Sequence, residues 1–248
     1  MDDIRHLEQL TLQTSPAIAE KHFDGWVLRA SGTDTRRANS VTQLERGALP
    51  LSDKVAFCEA WYQEQKQPPI FRLTSAISDP ELDLLLESGG YVREGGTHIM
   101  TMLLKELPAE AVNETERLVE RSVEEGIGDF HRLKGSSAAL AQLDLKRQQQ
   151  WNKPQAYFAV ERDGEIVCSG LARSDGDYVG VFNMRTAEHE RGRGHATRLV
   201  AALLAWGTRQ GARTAFLPVE QTNVPALKVY RRFGFVRCYD YWYREQPR

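Results

Sequence analysis

The sequence predicts an α/β protein built on a mixed sheet, and two observations carry that prediction. Three strand-like segments, 155–161, 165–172 and 178–185, are joined by Asp163-Gly164 and Asp175-Gly176. Asp-Gly is a strong hairpin signal because both residues tolerate positive φ, so these strands form an antiparallel meander. An apolar helical pattern over 197–210 then separates the third strand from a fourth, Thr214-Ala215-Phe216-Leu217-Pro218-Val219. A helical crossover makes those two strands parallel, and the sheet is therefore mixed.

The remaining elements follow in order. Ile99–Leu104 is an apolar strand, and the polar stretch Lys105-Glu106-Leu107-Pro108-Ala109-Glu110 divides the chain into an N-terminal domain, 1–107, and a C-terminal domain, 108–248. Helices are predicted over 113–125, with Leu118, Val119 and Ser122 at helical spacing, and over 136–150. Leu199, Val200, Leu203, Leu204 and Trp206 mark the buried face of the crossover helix. Asn223 is a good helix cap, Pro225 suits the first turn and Gly234 the end; a last strand spans 235–243. A shift of 144 residues sets Gly90-Tyr91-Val92-Arg93 on Gly234-Phe235-Val236-Arg237, so each half ends as helix, glycine, aromatic, strand. At the same offset the helix after Ser52 lies on the helix after Ala196, and Ile70–Leu73 lies close to the Thr214–Leu217 strand; duplication and chance both account for such a match.

Composition excludes several classes. The 248 residues are 41% hydrophobic and 27% charged, which is ordinary for a globular protein. No apolar run reaches the ~20 residues of a membrane helix, and the start, Met1-Asp2-Asp3-Ile4-Arg5-His6, is no secretory signal. A net charge of −2 argues against a nucleic-acid surface. Cys58, Cys168 and Cys238 are odd in number and show no metal-ligand spacing, so no metal is expected. The expected location is the cytoplasm, with thiols reduced.

The stretch that carries chemistry is Arg191-Gly192-Arg193-Gly194-His195-Ala196, between a strand and an apolar helix. Two glycines allow a tight turn and close approach of a ligand. The following helix start offers unpaired N–H groups and the positive end of its dipole, and two arginines add charge. These features make a pyrophosphate cradle. It is no Walker loop, since no Gly-Lys-Ser/Thr follows, and no G-x-G-x-x-G fingerprint is present.

The order of meander, R-x-x-G-x-A loop, helix, strand, Asn-headed helix, Gly-Phe and final strand resembles the GNAT family of acyl-coenzyme A-dependent N-acyltransferases. Arg191, Gly194 and Ala196 match the loop, and Asn223, Tyr230 and Gly234-Phe235 match the later element, over about residues 113–243. The resemblance implies a GNAT fold in the C-terminal half and transfer of an acetyl or other acyl group from acetyl-coenzyme A. The acceptor would be a primary amine of a small molecule or peptide, attacking directly in a ternary complex. The loop from Arg191 through Gly192, Arg193, Gly194, His195 and Ala196 to Thr197 would hold the pyrophosphate. The strand edge Met184-Arg185-Thr186 would pair with the pantetheine arm and could stabilise an oxyanion. Asn223 would bond the coenzyme and Tyr230 would protonate the departing thiolate.

Each residue also has a plainer reading. Tyr230 fits an amphipathic helix beside Leu227 and Val229, Asn223 caps a helix in any fold, and His195, His189 and Glu188 read as solvated. A base is not legible on the strand before the loop, which has no carboxylate. Glu220, at the end of the fourth strand, is the candidate, followed by Asp177; a water chain is the other option. A coenzyme-binding module without turnover is the alternative to an enzyme.

In the first half, the position matching the cradle reads Arg46-Gly47-Ala48-Leu49-Pro50-Leu51-Ser52, where proline removes a donor, and Tyr230 falls on Leu86. This half is expected to be a degenerate GNAT-like copy or scaffold, in a layout similar to tandem GNAT proteins with one active copy. Residues 25–30 and 37–41 read as strands around a turn at 32–35, with Arg36, Arg37 and Asn39 either facing the acceptor or solvated.

Overall fold

The computed structural model describes residues 2–104 and 116–247. In chain order its elements are α1 (Asp2–Gln13), β1 (Ala19–Phe23), β2 (Trp26–Ala30), β3 (Val41–Gln43), α2 (Leu51–Glu64), β4 (Ile70–Thr74), α3 (Pro80–Ser88), β5 (Val92–Leu103) and β6 (Glu116–Arg121). There follow α4 (Val123–Lys134), α5 (Ala138–Gln148), β7 (Gln155–Arg162), β8 (Glu165–Asp175), β9 (Tyr178–Thr186), α6 (His195–Arg209), β10 (Thr214–Glu220), α7 (Val224–Phe233) and β11 (Val236–Glu245). The expected mixed α/β architecture is the one formed. The elements gather into two compact units: Met1–Ile99 with Glu220–Thr222 and Cys238–Arg248, and Met100–Val219 with Asn223–Arg237. The boundary expected at 107/108 lies outside the described residues.

In the first unit β1 and β2 form a hairpin through Asp24 and Gly25, both at positive φ. β2 pairs antiparallel with β3, β3 parallel with β4, and β4 antiparallel with β11. Trp26, Leu28, Phe71 and Leu73 from these strands pack on Trp61 and Tyr62 of α2. In the second unit β6, β7, β8 and β9 run antiparallel in succession, and β10 joins β9 in parallel. The meander and the parallel pair are thus as the turns and the crossover required. The apolar stripe of α6, including Leu199, Leu203 and Leu204, closes the core on Val160, Val181 and Leu217.

Two elements differ from expectation. Glu116–Arg121, read as part of a helix over 113–125, is a strand paired with β7 from Glu116↔Arg162 to Arg121↔Tyr157. The helix begins after Ser122, whose hydroxyl takes the Glu125 N–H while Glu125 returns a carboxylate to the Ser122 N–H. That capping box fixes the helix start and leaves the preceding residues to the sheet. Residues 113–115 lie outside the described residues. The segment 37–41, read as a strand, is instead a 3-10 turn at Arg36–Ala38 followed by β3. There the Asn39 side chain satisfies backbone groups of the loop before it, at Ser31, Thr33 and Thr35, which competes with ladder formation.

The internal repeat suggested by one helix, one strand and a four-residue match holds for four successive elements. Elements starting at 51, 70, 80 and 92 recur at 195, 214, 224 and 236, each 144 residues on, as helix, strand, helix, strand. Asp79 caps α3 as Asn223 caps α7, and Gly90 and Gly234 both take positive φ.

Packing in the second unit is close enough for one methyl to matter. A Cβ at Gly207 of α6 would lie 2.6 Å from a methyl of Val179, which is fully buried on β9. In a free helix Gly→Ala gains up to about 1 kcal/mol; here overpacking at a cost of about 1–3 kcal/mol outweighs it. Urea denaturation of Gly207→Ala is expected to show a less stable protein, and a more stable one would contradict this packing.

Candidate active site

β9 and β10 pair only over Thr214↔Tyr178, Ala215↔Val179 and Phe216↔Gly180, and then separate. Gly180 has no side chain because a Cβ would meet the Phe182 ring at 2.4 Å and the Phe216 ring at 2.8 Å. Those rings meet edge to face with centroids 5.7 Å apart, at the point of separation. Just beyond, β9 carries an extra residue against β8: Leu171 pairs with Phe182, but Ser169 pairs with Arg185. Asn183 sits in this bulge at φ 53°, a conformation Asn tolerates better than most residues. Its side-chain nitrogen is buried without a partner among the described residues. Sequence reading missed Asn183, although an Asn in an apolar strand is the signal. Met184, Arg185 and Thr186 follow it, each half-buried. A cavity of about 430 Å³ opens beside this strand end, lined by Arg132, Lys134, Arg185, His189, Glu165 and Glu188 among others.

The chain then makes a 3-10 turn at Glu188–Glu190 and enters the glycine loop. Gly192 and Gly194 take φ 81° and 92°, and nothing lies within 4 Å of where their Cβ atoms would stand. Gly194 heads α6, and no side chain caps that helix. Its first N–H groups, at His195, Ala196 and Thr197, face the loop with the helix dipole behind them. Arg191 and Arg193 are exposed, in loose ion pairs of 3.4 Å with Glu188 and Glu190. The arrangement suits a phosphate-type anion.

His195 corrects the expectation of a solvated side chain: the residue is 1% exposed. Its Nε2 lies 2.9 Å from Glu190 and its Nδ1 3.2 Å from Glu116 at the start of β6. Arg198 reaches the same Glu116 at 3.1 Å, and Arg162 reaches Glu190 at 3.0 Å. Hydrogen bonding to His195, aided by Arg162 and Arg193 against desolvation, holds the Glu190 carboxyl below its ordinary range. The loop is thereby held to the 3-10 turn through the His195 Nε2, with Glu116 of β6 at ion-pair distance from an Nδ1 that makes no hydrogen bond among the described residues. Glu116 and Glu190 could not be anticipated because their role exists only once β6 and the 3-10 turn are placed. His189 and Glu188 are exposed.

Tyr230, on α7, is 7% exposed and packs edge-on against Phe235. Burial pushes its phenol pKa up, and the nearby Cys168 adds to this, so the proton is held firmly. Cys168 is buried, 3.1 Å from the Thr186 hydroxyl, and burial lifts its thiol to about 11. The Asn223 side chain caps α7 by accepting from the Ala226 N–H at 3.2 Å. Glu220 ends β10 and is exposed. Asp177 lies at the paired end of β9, far along the strand from Thr186, where its carbonyl accepts from Arg213 and Thr214.

The matching loop of the first unit is occupied from within. Asp24 accepts the N–H groups of Ala48 and Leu49, each at 2.9 Å. Lys54, its side chain fully buried, approaches that carboxylate at 3.1 Å and bonds the carbonyls of Asp24 and Arg46. The two backbone donors, with Lys54, lower the Asp24 pKa from 3.8 to about 2 despite some desolvation. A depressed carboxyl pKa contributes stability above its unfolded value that is lost as pH falls toward the folded one. Asp24→Asn should therefore melt below the wild type at neutral pH, with the gap closing as pH falls from about 4 toward 2. A gap constant across that range would show that the charge is not what matters.

The parted parallel pair, bulged strand and uncapped glycine-headed helix are those of the GNAT fold, and the chain is an N-acetyltransferase of that type. It belongs to the family described as probable histone acetyltransferase Rv0428c C-terminal, whose model matches residues 1–244. It is 28% identical over 248 residues to an uncharacterized N-acetyltransferase, YobR, of Bacillus subtilis (strain 168), covering 98% of this chain and 99% of that one. A GCN5-related N-acetyltransferase from Kribbella flavida has a similar fold, with TM-score 0.73 and 14% identity over 99% of this chain and 95% of the other. A tandem GNAT protein from the clavulanic acid biosynthesis pathway aligns with TM-score 0.65 and 15% identity, over 90% of this chain and 78% of its own. Among the described residues, no cluster of metal-ligating side chains is present, and no helix is long and apolar enough to cross a membrane.

Proposed function

We propose that the protein transfers an acetyl group from acetyl-coenzyme A to a primary amine of a small molecule or peptide, by direct attack in a ternary complex. The observation that carries this reading is the start of α6: uncapped N–H groups behind two glycines with open space over both. These groups, with Arg191 and Arg193, hold the pyrophosphate; Met184–Thr186, freed from β10, hold the pantetheine arm by its amides. The bound thioester supplies an activated acetyl group. Tyr230 keeps its proton at neutral pH and donates it to the departing sulfur. Glu220 takes the proton of the amine, and Asn223, besides capping α7, contacts the coenzyme. Residues 108–248 form the catalytic domain and 1–107 a degenerate copy, in which Asp24 occupies the loop N–H groups of Ala48 and Leu49 that match Gly192 and Arg193.

Two variants test the reading. Tyr230→Phe should lower coenzyme A release in an amine-panel assay by a factor of ~10²–10⁴ while leaving calorimetric binding of acetyl-coenzyme A nearly unchanged. Unchanged turnover would remove Tyr230 as the acid, and binding without thiol release from any amine would point to a sensor. Gly194→Val should instead abolish binding, since it forces an L residue to φ 92° and fills the space over the loop. Tight binding by that variant would displace the site from the loop.

A further inference from the structure

The cavity beside the end of β9 holds one half-buried ionic group, the Arg185 guanidinium; the other charged side chains that line it are exposed. Arg132 and Lys134, from the last turn of α4, add two cations, against the carboxylates of Glu165 and Glu188. Glu188 lies 3.4 Å from Arg191 of the glycine loop, and Arg132 lies 3.3 Å from Asp129. Arg185 has no such neighbour. Among the described residues it meets no carboxylate at ion-pair distance, and its hydrogen bond runs from Nε to the Leu133 carbonyl at 3.4 Å. A cation withdrawn from water without a counter-ion is unfavourable. Its remaining N–H groups form a planar fork that matches a carboxylate or a phosphate. At about 430 Å³ the cavity has the volume of a small-molecule site.

The cavity lies on the face of the sheet away from the glycine-headed helix. On β8, Gly170 turns toward α6, where a Cβ would stand 3.0 Å from Leu203 and 3.2 Å from Leu199. Its neighbour Leu171 pairs with Tyr157, whose ring lies so close to α4 that a Cβ at Gly126 would press on it. Successive strand residues point to opposite faces, so α6 and α4 cover different sides of this sheet. β9 alternates in the same way. The Met184 sulfur would stand 2.5 Å from a Cβ at Gly170, on the α6 side, whereas the Arg185 side chain bonds the Leu133 carbonyl of α4. Arg185 thus gives its backbone to the free edge of β9 and its side chain to the cavity.

We propose that the cavity receives an acidic group, a carboxylate or a phosphate monoester, carried by the amine acceptor. This rests on the reading of Met184–Thr186 as the pantetheine edge. A coenzyme held at the start of α6 reaches that edge from the α6 side and leaves the α4 side to the amine. Arg185 takes the acid by its fork, and Arg132 and Lys134 add positive charge from the last turn of α4. The acceptor is then an amine that also bears an acid, selected by binding and not by proton transfer.

The test uses pairs of amines that differ by one acid group: propylamine with γ-aminobutyrate, cadaverine with lysine, and ethanolamine with phosphoethanolamine. Coenzyme A release is measured on the whole chain with acetyl-coenzyme A in excess. In at least one pair the acidic member should show a kcat/KM about 10- to 100-fold above its neutral partner, through a lower KM. In Arg185→Met the two members should become equal, and Arg185→Lys should recover part of the preference. Glu165→Gln, which removes a competing carboxylate, should keep or raise it, and melting curves confirm that the variants fold. The preference is a ratio within each variant, so any effect of position 185 on the coenzyme cancels. Equal use of both members in every pair, or a preference unchanged in Arg185→Met, would overturn the proposal. So would a loss of coenzyme affinity in Arg185→Met that appears with acetyl-coenzyme A but not with its dephospho form, since the cavity would then hold the coenzyme's own phosphate. Release from no amine at all would contradict the transfer reading, and this inference with it.

Discussion

Backbone N–H groups in a loop that leads into a helix need acceptors, and the two halves of this protein treat that constraint differently. Two strand-to-helix junctions, 144 residues apart, have the same place in the chain order. At the first, the loop donors of Ala48 and Leu49, which precede α2, are taken by the Asp24 carboxylate with the Lys54 ammonium alongside, while the start of α2 itself has no side-chain cap. At the second, no side chain caps α6, and Gly192 and Gly194 leave the approach clear. The loop before α2 is filled from within, whereas the loop before α6 is open. The asymmetry between the halves follows from a single carboxylate placed at a hairpin turn.

The open start of α6 is fixed in place and lies in the same unit as a free strand edge. His195 fixes it: a ring buried between Glu190 and Glu116 ties the loop to the 3-10 turn, with Glu116 of β6 at ion-pair distance, and Arg162 and Arg198 balance the two carboxylates. Such a network is strong when complete and costly when broken, because each member is desolvated. That edge belongs to β9. The Phe182–Phe216 contact marks where the parallel pair parts, and the bulge at Asn183 turns the strand so that Met184–Thr186 are not consumed by β10. Tyr230 joins the same core through Phe235, which keeps its phenol dry.

Much of this was legible because it rests on local chemistry. Asp-Gly turns, the crossover helix, the Asn223 cap and the Gly-Arg loop each declare themselves within a few residues, and the meander and parallel pair followed from them. What was illegible depends on partners far along the chain. Glu116–Arg121 has spacing compatible with a helix, and only pairing with β7 makes it a strand. His195 reads as a polar loop residue until two carboxylates from other segments close over it. Asn39 reads as part of a strand, whereas its side chain replaces the ladder bonds of its neighbours. The repeat was legible only in outline, as a helix, a strand and a four-residue match at one offset, because its evidence is the spacing of whole elements, not residue identity.

The central claim is that one of two equivalent junctions accepts the coenzyme and the other is closed by its own carboxylate. Amide hydrogen exchange, resolved along the chain with and without acetyl-coenzyme A, tests it most directly. The account predicts slowed exchange at Gly192 to Thr197 when the coenzyme is present, with Ala48 and Leu49 already protected and unchanged. Protection appearing at Gly47 to Leu49, or exchange at Gly192 to Thr197 indifferent to the coenzyme, would contradict it.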